Sequence, residues 1–290
     1  MKKIICWFSG GVTSAVACKI AINIYGKENC RVIMIDTHNE SDDTYRFKKD
    51  CEIWYEVEIE TISAIPDKYS SIQDVWLRYK TLNSATGAIC STDLKRLVRE
   101  RWQKENEFSY QVFGFEFDKK EFNRALSMKI NYGNVVNPIF PLLLFGYDKQ
   151  DCFDIITKNG IEVPEMYKLG FGNNNCFKTG CIQGGIGYWK KIQREFPDKF
   201  QKMAEIEHYL TELAGHQVTM LKDQSIEGKG KKELDKRGNL VFLIKHPDYG
   251  NKCLDDMKDR DVEPIFECNG LCGINDLNNK NKTENEINYQ

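Results

Sequence analysis

The stretch CWFSGGVTSAVACKI, Cys6 to Ile20, constrains the fold more than any other. An apolar run ends in Ser9-Gly10-Gly11, and small and apolar residues at helical spacing follow from Val12. A strand that turns through two glycines into a helix brings together backbone N–H groups that have no intrahelical partner, and the helix dipole adds partial positive charge there. Gly10 and Gly11 let the backbone approach an anion with no Cβ in the way. Ser9, Thr13 and Ser14 add hydroxyl donors. Two readings are open: a structural strand-to-helix turn, or a cradle for the phosphates of a nucleotide. The lysine of a Walker A loop and the third glycine of a dinucleotide fingerprint are both missing.

The pattern repeats downstream. The runs KIICWFS, CRVIMIDT, VEIETIS and SYQVFGFE read as strands. Between them lie helix patterns: TSAVACKIAINIYG, stopped by Gly26; DDTYRFKKDCEIWYE, with Asp42 and Asp43 where the helix dipole favours acids; SIQDVWLRYK; and the amphipathic STDLKRLVRERWQKE. Strands alternating with helices predict an α/β fold with a doubly wound, mostly parallel sheet. Beyond about residue 135 the chain becomes helical, loop-rich and cysteine-bearing. We expect a nucleotide-binding α/β core over residues 1–135, a helical and loop-rich part over 136–275, and a disordered polar tail over 276–290. SIEGKGKKELDKRGN reads as a mobile loop, and YWKKIQREFPDKFQKMAEIEHYLTELAG as a helical region interrupted at Pro197.

Bulk charge narrows the partners. With 43 acidic and 41 basic residues the net charge is −2, so any nucleic-acid contact must come from local clusters. YWKKIQREF is one such cluster, although a helix with its aromatics inward and its bases solvated is the simpler reading. No apolar run approaches the roughly 18 residues a membrane span needs, and the N-terminal run is short for a signal peptide. A cytoplasmic protein with no membrane partner is the expectation.

Eleven cysteines are then best read as reduced thiols. Cys6, Cys18, Cys30, Cys51, Cys152 and Cys253 sit inside ordinary elements and fit buried filler. Cys90, Cys176, Cys181, Cys268 and Cys272 lie beside glycines and polar turns. Cys176 and Cys181 (CFKTGC) with Cys268 and Cys272 (CNGLC) form two pairs on glycine-bearing loops. Four thiolates suit tetrahedral zinc or a [4Fe-4S] cluster, which would tie the C-terminal segment to the main domain. Reduced structural cysteines are the plainer alternative, and Cys90 belongs to a further set.

The loop SGGVTS resembles the PP-loop, SGGxDS, of the ATP-pyrophosphatase and phosphoadenosine phosphosulfate reductase superfamily, with Thr13 at a position many members fill with aspartate. MIDTHNESDDTYRF is similar to the reductase segment DTG…PETY.F through Asp36, Thr37, Thr44, Tyr45 and Phe47, with His38 in the glycine position. GAICSTDLKRLVRERW resembles the family's cysteine turn and helical lysine at Gly87, Cys90 and Lys95. VFGFEFDKKEFNRA matches GxRxxES..R at Gly114 and Arg124, but has Glu116 in place of the usual arginine. Pro141, Leu142, Asp151, Pro164, Tyr167 and Gly170 extend the similarity, which covers about residues 3 to 210.

The resemblance implies an adenine nucleotide alpha hydrolase-like fold. It implies ATP or an adenylyl nucleotide, with magnesium, held by Ser9, Gly10, Gly11, Val12, Thr13, Ser14, Asp36, Thr37, Gly114 and Arg124. It makes Lys95 a catalytic cation and Cys90 either a sulfur-carrying nucleophile or a cluster ligand, since some members of the superfamily hold an iron–sulfur cluster near the nucleotide. Lys95, Arg96 and Arg99 could bind phosphate or sulfate, although a solvated helix face is the simpler reading of Arg99 and Arg101. Three functions follow. The first is adenylylation by ATP coupled to sulfur transfer onto an acceptor such as a nucleic acid, with a sulfur-donor protein as partner. The second is sulfonucleotide reduction, for which the family's ECGIH motif is missing and FECNGLCGIND is a loose echo. The third is a non-catalytic nucleotide-binding module of a complex.

Overall fold

The computed structural model describes residues 3–84, 87–174, 176–223, 239–249, 252–263 and 265. In chain order the elements begin β1 (Ile4–Phe8), α1 (Val12–Tyr25), β2 (Cys30–Ile35), α2 (Asp42–Tyr55), β3 (Ile59–Ile62) and α3 (Ile72–Tyr79). Two short strands, β4 (Asn83–Ser84) and β5 (Gly87–Ala88), lead into α4 (Ile89–Ser91), a π-helical turn at Thr92–Arg96, and α5 (Leu97–Glu105). Then come β6 (Tyr110–Val112), α6 (Lys119–Val136), β7 (Pro138–Ile139), α7 (Pro141–Phe145), α8 (Lys149–Lys158) and α9 (Glu165–Lys168). The last are α10 (Ile186–Glu195), α11 (Pro197–Ala214), and the pair β8 (Leu221–Lys222) and β9 (Leu240–Val241).

Five strands form one parallel sheet in the order β3-β2-β1-β6-β7. All five residues of the central strand β1 are buried, as expected for a parallel strand covered on both faces. Its period of two sorts them. Ile4, Cys6 and Phe8 join a core with Val16 of α1, Phe47 of α2 and Ile156 of α8. Ile5 and Trp7 join the opposite core with Trp102 of α5, Phe113, and Met128 of α6. The expected α/β fold is therefore present as a doubly wound sheet. The chain leaves β1 toward β2 and β3, then crosses back to β6 on the other side of β1. The loops after β1 and β6 flank the resulting switch point, where open α/β sheets bind ligands.

The expected boundary after residue 135 falls just before β7, which bonds to β6 in the same sheet. A third core packs α10 and α11 against α3, α4 and the β8–β9 pair, with Tyr188 and Trp189 inside it. The six cysteines read as filler are all buried. Residues 225–238 of the segment read as a mobile loop, the residues 276–290 read as a tail, Cys268 and Cys272 lie outside the described residues. Among the described residues no helix is long and apolar enough to cross a membrane.

Candidate nucleotide and thiol site

The turn from β1 into α1 is built by constraints from both sides. Gly10 has φ +84°, the left-handed region, and a Cβ on it would lie 2.6 Å from Cγ2 of Thr44 on α2. Gly11 stands at the N-cap of α1 with extended backbone and, as glycine, has no side chain to cap the helix. The Ser14 hydroxyl accepts from the Ser9 N–H at 3.1 Å and donates to the Gly11 carbonyl at 2.9 Å. Ser14 is fully buried and Thr13 nearly so. Ser14 thus shapes the loop from within, while Ser9 is half-buried at its rim. The Val12 N–H donates to the Tyr167 hydroxyl at 3.3 Å.

Asn174 had no motif to mark it, yet it clamps this loop. Its side-chain amide donates to the Gly10 carbonyl at 2.8 Å and to the Thr44 hydroxyl at 3.0 Å. The Oδ1 atoms of Asn173 and Asn174 are buried without a hydrogen-bond partner. A buried amide oxygen of this kind costs about 1–3 kcal/mol unless something satisfies it.

At the carboxyl end of β2, Asp36 is buried and accepts from the His38 N–H at 2.7 Å and from the Tyr45 hydroxyl at 3.0 Å. Burial and the Asp36 charge push the Tyr45 phenol up. His38 has φ +57°, so the backbone has the left-handed conformation that glycine takes most readily, although a histidine stands there. Thr37 donates to Glu40 at 3.0 Å, and its hydroxyl lies 3.6 Å from the Cys176 sulfur. Glu40 is buried and paired with buried Lys95 at 3.5 Å. Lys95 sits on the π-helical turn that interrupts the helix expected over residues 91–105.

Cys90, Cys176 and Cys181 line one cavity together with Thr37 and Lys95. Burial and the Glu40 charge push the Cys176 thiol up to about 11, against the opposing influence of Lys95 and Thr37. Burial, then Cys176, raises Cys181 well above the ordinary thiol range. The three thiols ring a space; among the described residues no three His, Cys, Asp or Glu side chains converge closely enough to hold a single ion. Of the five cysteines singled out in the sequence, these three are among the described residues and line one cavity.

Across the switch point, Gly114 packs on the first turn of α1. A Cβ there would lie 2.5 Å from Cα of Ser14. Glu116, in the position of the family's arginine, is paired with Lys149 at 3.4 Å, so a cation is returned from the start of α8. Arg124 is buried, paired with Glu121 at 2.5 Å, and its guanidinium lies 4.8 Å from the centre of the Phe115 ring. Arg99 corrects the expectation of a solvated face: it is buried on α5, and that burial lowers its guanidinium to about 10. Arg101 is exposed as expected.

The family model described as phosphoadenosine phosphosulfate reductase domain matches residues 3–183. The chain belongs to this family. The match spans the loop after β1, the Asp36 segment, Cys90 with Lys95, and both Cys176 and Cys181. No curated protein matches the chain. Among solved structures, phosphoadenylyl-sulfate (PAPS) reductase from Candida auris in a phosphate complex is 16% identical, with 61% of this chain and 82% of that one covered and a TM-score of 0.46. The U34-tRNA thiolase NcsA from Methanococcus maripaludis with its [4Fe-4S] cluster is 14% identical, with 74% of each chain covered and a TM-score of 0.39.

As a reductase-domain family member, the chain presents two adjoining parts. One is the glycine turn at the start of α1, packed so closely that a Cβ at Gly10 or Gly114 would clash with Thr44 or with the Ser14 backbone. The other is a thiol-lined cavity with a buried lysine. The aromatic and basic YWKKIQREF segment is no exposed stacking platform: Tyr188 and Trp189 are buried, and Lys190 and Lys191 pair with Asp259 and Glu195.

Proposed function

We propose that the chain is an adenine-nucleotide-dependent PP-loop enzyme that adenylylates an acceptor with ATP and then delivers sulfur to it from the Cys90–Cys176–Cys181 cavity. One observation carries the reading: the three thiols and Lys95 gather at Thr37, one residue from Asp36 and at the same sheet edge as the glycine loop. In the first step an acceptor oxygen attacks the α-phosphorus of ATP, the bond to the α–β bridging oxygen breaks, and pyrophosphate leaves. Charge grows on the departing oxygens, and the N–H groups at the start of α1 are preorganised to meet it. In the second step a sulfide sulfur forms a bond to the activated carbon and AMP departs with the electron pair.

The residues fit the groups this requires. Cys90, Cys176 and Cys181, which line one cavity, would supply thiolate ligands to an iron–sulfur cluster. Such a cluster would supply a site for binding and presenting sulfide. Lys95, paired with Glu40, offsets part of the rise that burial imposes on the Cys176 and Cys181 thiols. Magnesium would accompany the phosphates and offset part of their charge. Thr13 in the aspartate position leaves the loop without a carboxylate for the ion.

The test is an anaerobic assay of AMP and pyrophosphate formation from ATP with magnesium, sulfide, and RNA or DNA acceptors. Activity together with visible absorbance that Cys90→Ser, Cys176→Ser and Cys181→Ser each remove is expected. A colourless protein that leaves ATP intact with every acceptor refutes the proposal. Sulfonucleotide reduction is the second reading, favoured by the family itself. Sulfite release from phosphoadenosine phosphosulfate or adenylyl sulfate, abolished by Cys268→Ser or Cys272→Ser, would select it.

A further inference from the structure

A second cavity, of about 420 Å³, opens next to the thiol cavity, and Thr37 lines both. Its basic lining residues are Lys178 on the loop between Cys176 and Cys181, Lys199 and Lys202 on α11, and His38. Among the described residues none that lines it is acidic, a marked local bias in a chain with more acids than bases. The carboxylate facing these cations is that of exposed Asp42, 3.5 Å from Lys178. Lys199 is fixed: its ammonium donates to the Phe177 carbonyl and lies 3.8 Å from the centre of the Phe177 ring. Burial and the neighbouring Lys202 charge lower its pKa. Lys178 and Lys202 are exposed at the rim. The inner wall is apolar, with Ile65, Met203 and Ile206.

The size and lining select a ligand class. The volume lies in the range that takes a nucleotide-sized body, far more than a lone phosphate needs. The cations at the rim are open to solvent, which suits a charged backbone running past the cavity. Among the described residues the wall has no aromatic ring for base stacking, so the hold would be electrostatic and tolerant of sequence.

We propose that this cavity is the acceptor subsite, seating one nucleotide of a single-stranded nucleic acid with its phosphates on Lys178, Lys199 and Lys202. The inference rests on the sulfur-transfer reading for its meaning, since Thr37 joins the subsite to the Cys176 sulfur 3.6 Å away. Binding itself can be measured independently of that reading.

The experiment uses the full chain and fluorescence anisotropy with labelled single-stranded RNA and DNA oligonucleotides, alongside calorimetry with ATP. Three phosphate contacts predict an affinity that falls about 20-fold between 50 and 200 mM salt. K178E/K202E should weaken binding about 20-fold at 100 mM salt and reduce that salt-dependent fall to about threefold. K178Q/K202Q should fall between the two. All should keep the circular dichroism spectrum and ATP affinity of the unaltered chain. K104E/K129E, with the same charge change on α5 and α6, should bind the oligonucleotide normally. Unchanged oligonucleotide affinity in K178E/K202E overturns the proposal, as does an equal loss in K104E/K129E. So does a result in which K178E/K202E weakens adenosine 3′,5′-bisphosphate but not the oligonucleotide, because the lysines would then serve the small nucleotide. Failure of the unaltered chain to bind ATP would instead strike the PP-loop reading and leave the oligonucleotide result standing.

Discussion

Replacing Gly114 by alanine tests the idea that the loop is held in place by close backbone contact. The added methyl would lie 2.5 Å from Cα and 2.6 Å from N of Ser14, and 2.8 Å from the Thr13 carbonyl carbon. These are backbone atoms in the first turn of α1, so no side chain can swing aside. The shortest distance is about 0.9 Å below the 3.4 Å at which ordinary contact begins, and the helix start must retreat by a comparable amount. Overpacking of this kind costs about 1–3 kcal/mol. At about 2–4 °C per kcal/mol for a chain of this size, Tm falls by roughly 2–12 °C. The same retreat moves the N–H groups that would meet phosphate, so ATP affinity measured by calorimetry should drop at least about tenfold, or 1.4 kcal/mol. Gly133→Ala is the matched control. On α6 its methyl would meet only Cγ of Lys129, at 3.8 Å, and alanine should stabilise the helix by about 0.5–1 kcal/mol. Two shifts of the same sign, or a Gly114→Ala protein with normal Tm and ATP affinity, would refute the reasoning.

Glu207 makes stability depend on pH. It is fully buried, accepting from the Met220 N–H at 2.9 Å and the Leu243 N–H at 2.7 Å, and burial pushes its carboxyl up to about 8. A folded pKa above the unfolded one gives stability that is whole below about 4.5 and lost as pH rises toward 8, at about 1.4 kcal/mol per pH unit. Urea midpoints from pH 5 to 8 should show this slope, and Glu207→Gln should flatten it; equal slopes in both proteins would sink the assignment. Lys95→Met strands the buried Glu40 charge and should cost about 3–5 kcal/mol, with a further Glu40→Gln change restoring a large part in a double-mutant cycle. At His38, valine should cost about 1–2 kcal/mol in the left-handed backbone, whereas glycine should stay within about 1 kcal/mol of the parent in chemical unfolding.

What could be read from the sequence follows the range of the interactions concerned. β1 and β2 announce themselves as short apolar runs buried almost throughout, and α1 and α2 as longer segments with small or apolar residues at helical spacing. The Gly10 turn is equally local. Arg99 was misread because a basic residue on an amphipathic helix is usually solvated; here it lies against the core that holds Trp102 and Phe113. The π-helical turn at Thr92–Arg96 left no mark either, since it changes hydrogen-bond register without changing residue types. Lys149, which answers Glu116, is 33 residues away in sequence and belongs to another helix.

The same logic explains why the site was half visible. Glycine and cysteine carry their reasons with them: one is chosen where a Cβ has no room, the other for what its sulfur can do. Gly10, Gly114, Cys90, Cys176 and Cys181 could therefore be picked out before their neighbours were known. What sequence could not supply was the grouping. Cys176 and Cys181 share a loop, and their expected partners were Cys268 and Cys272. Cys268 and Cys272 lie outside the described residues; among the described ones Cys90, at the β5–α4 junction, shares the cavity lined by Thr37. Asn174 is the opposite case, an ordinary residue made specific by place: its amide bridges the Gly10 carbonyl 164 residues away and Thr44 on α2. Replacing it with leucine keeps the volume but removes both bonds and leaves the Gly10 carbonyl unpaired, a cost of about 1–3 kcal/mol. If the Asn174 clamp orders the loop for phosphate, ATP affinity falls with stability in Asn174→Leu; if Asn174 only fills space, Tm and ATP affinity both stay near the parent values.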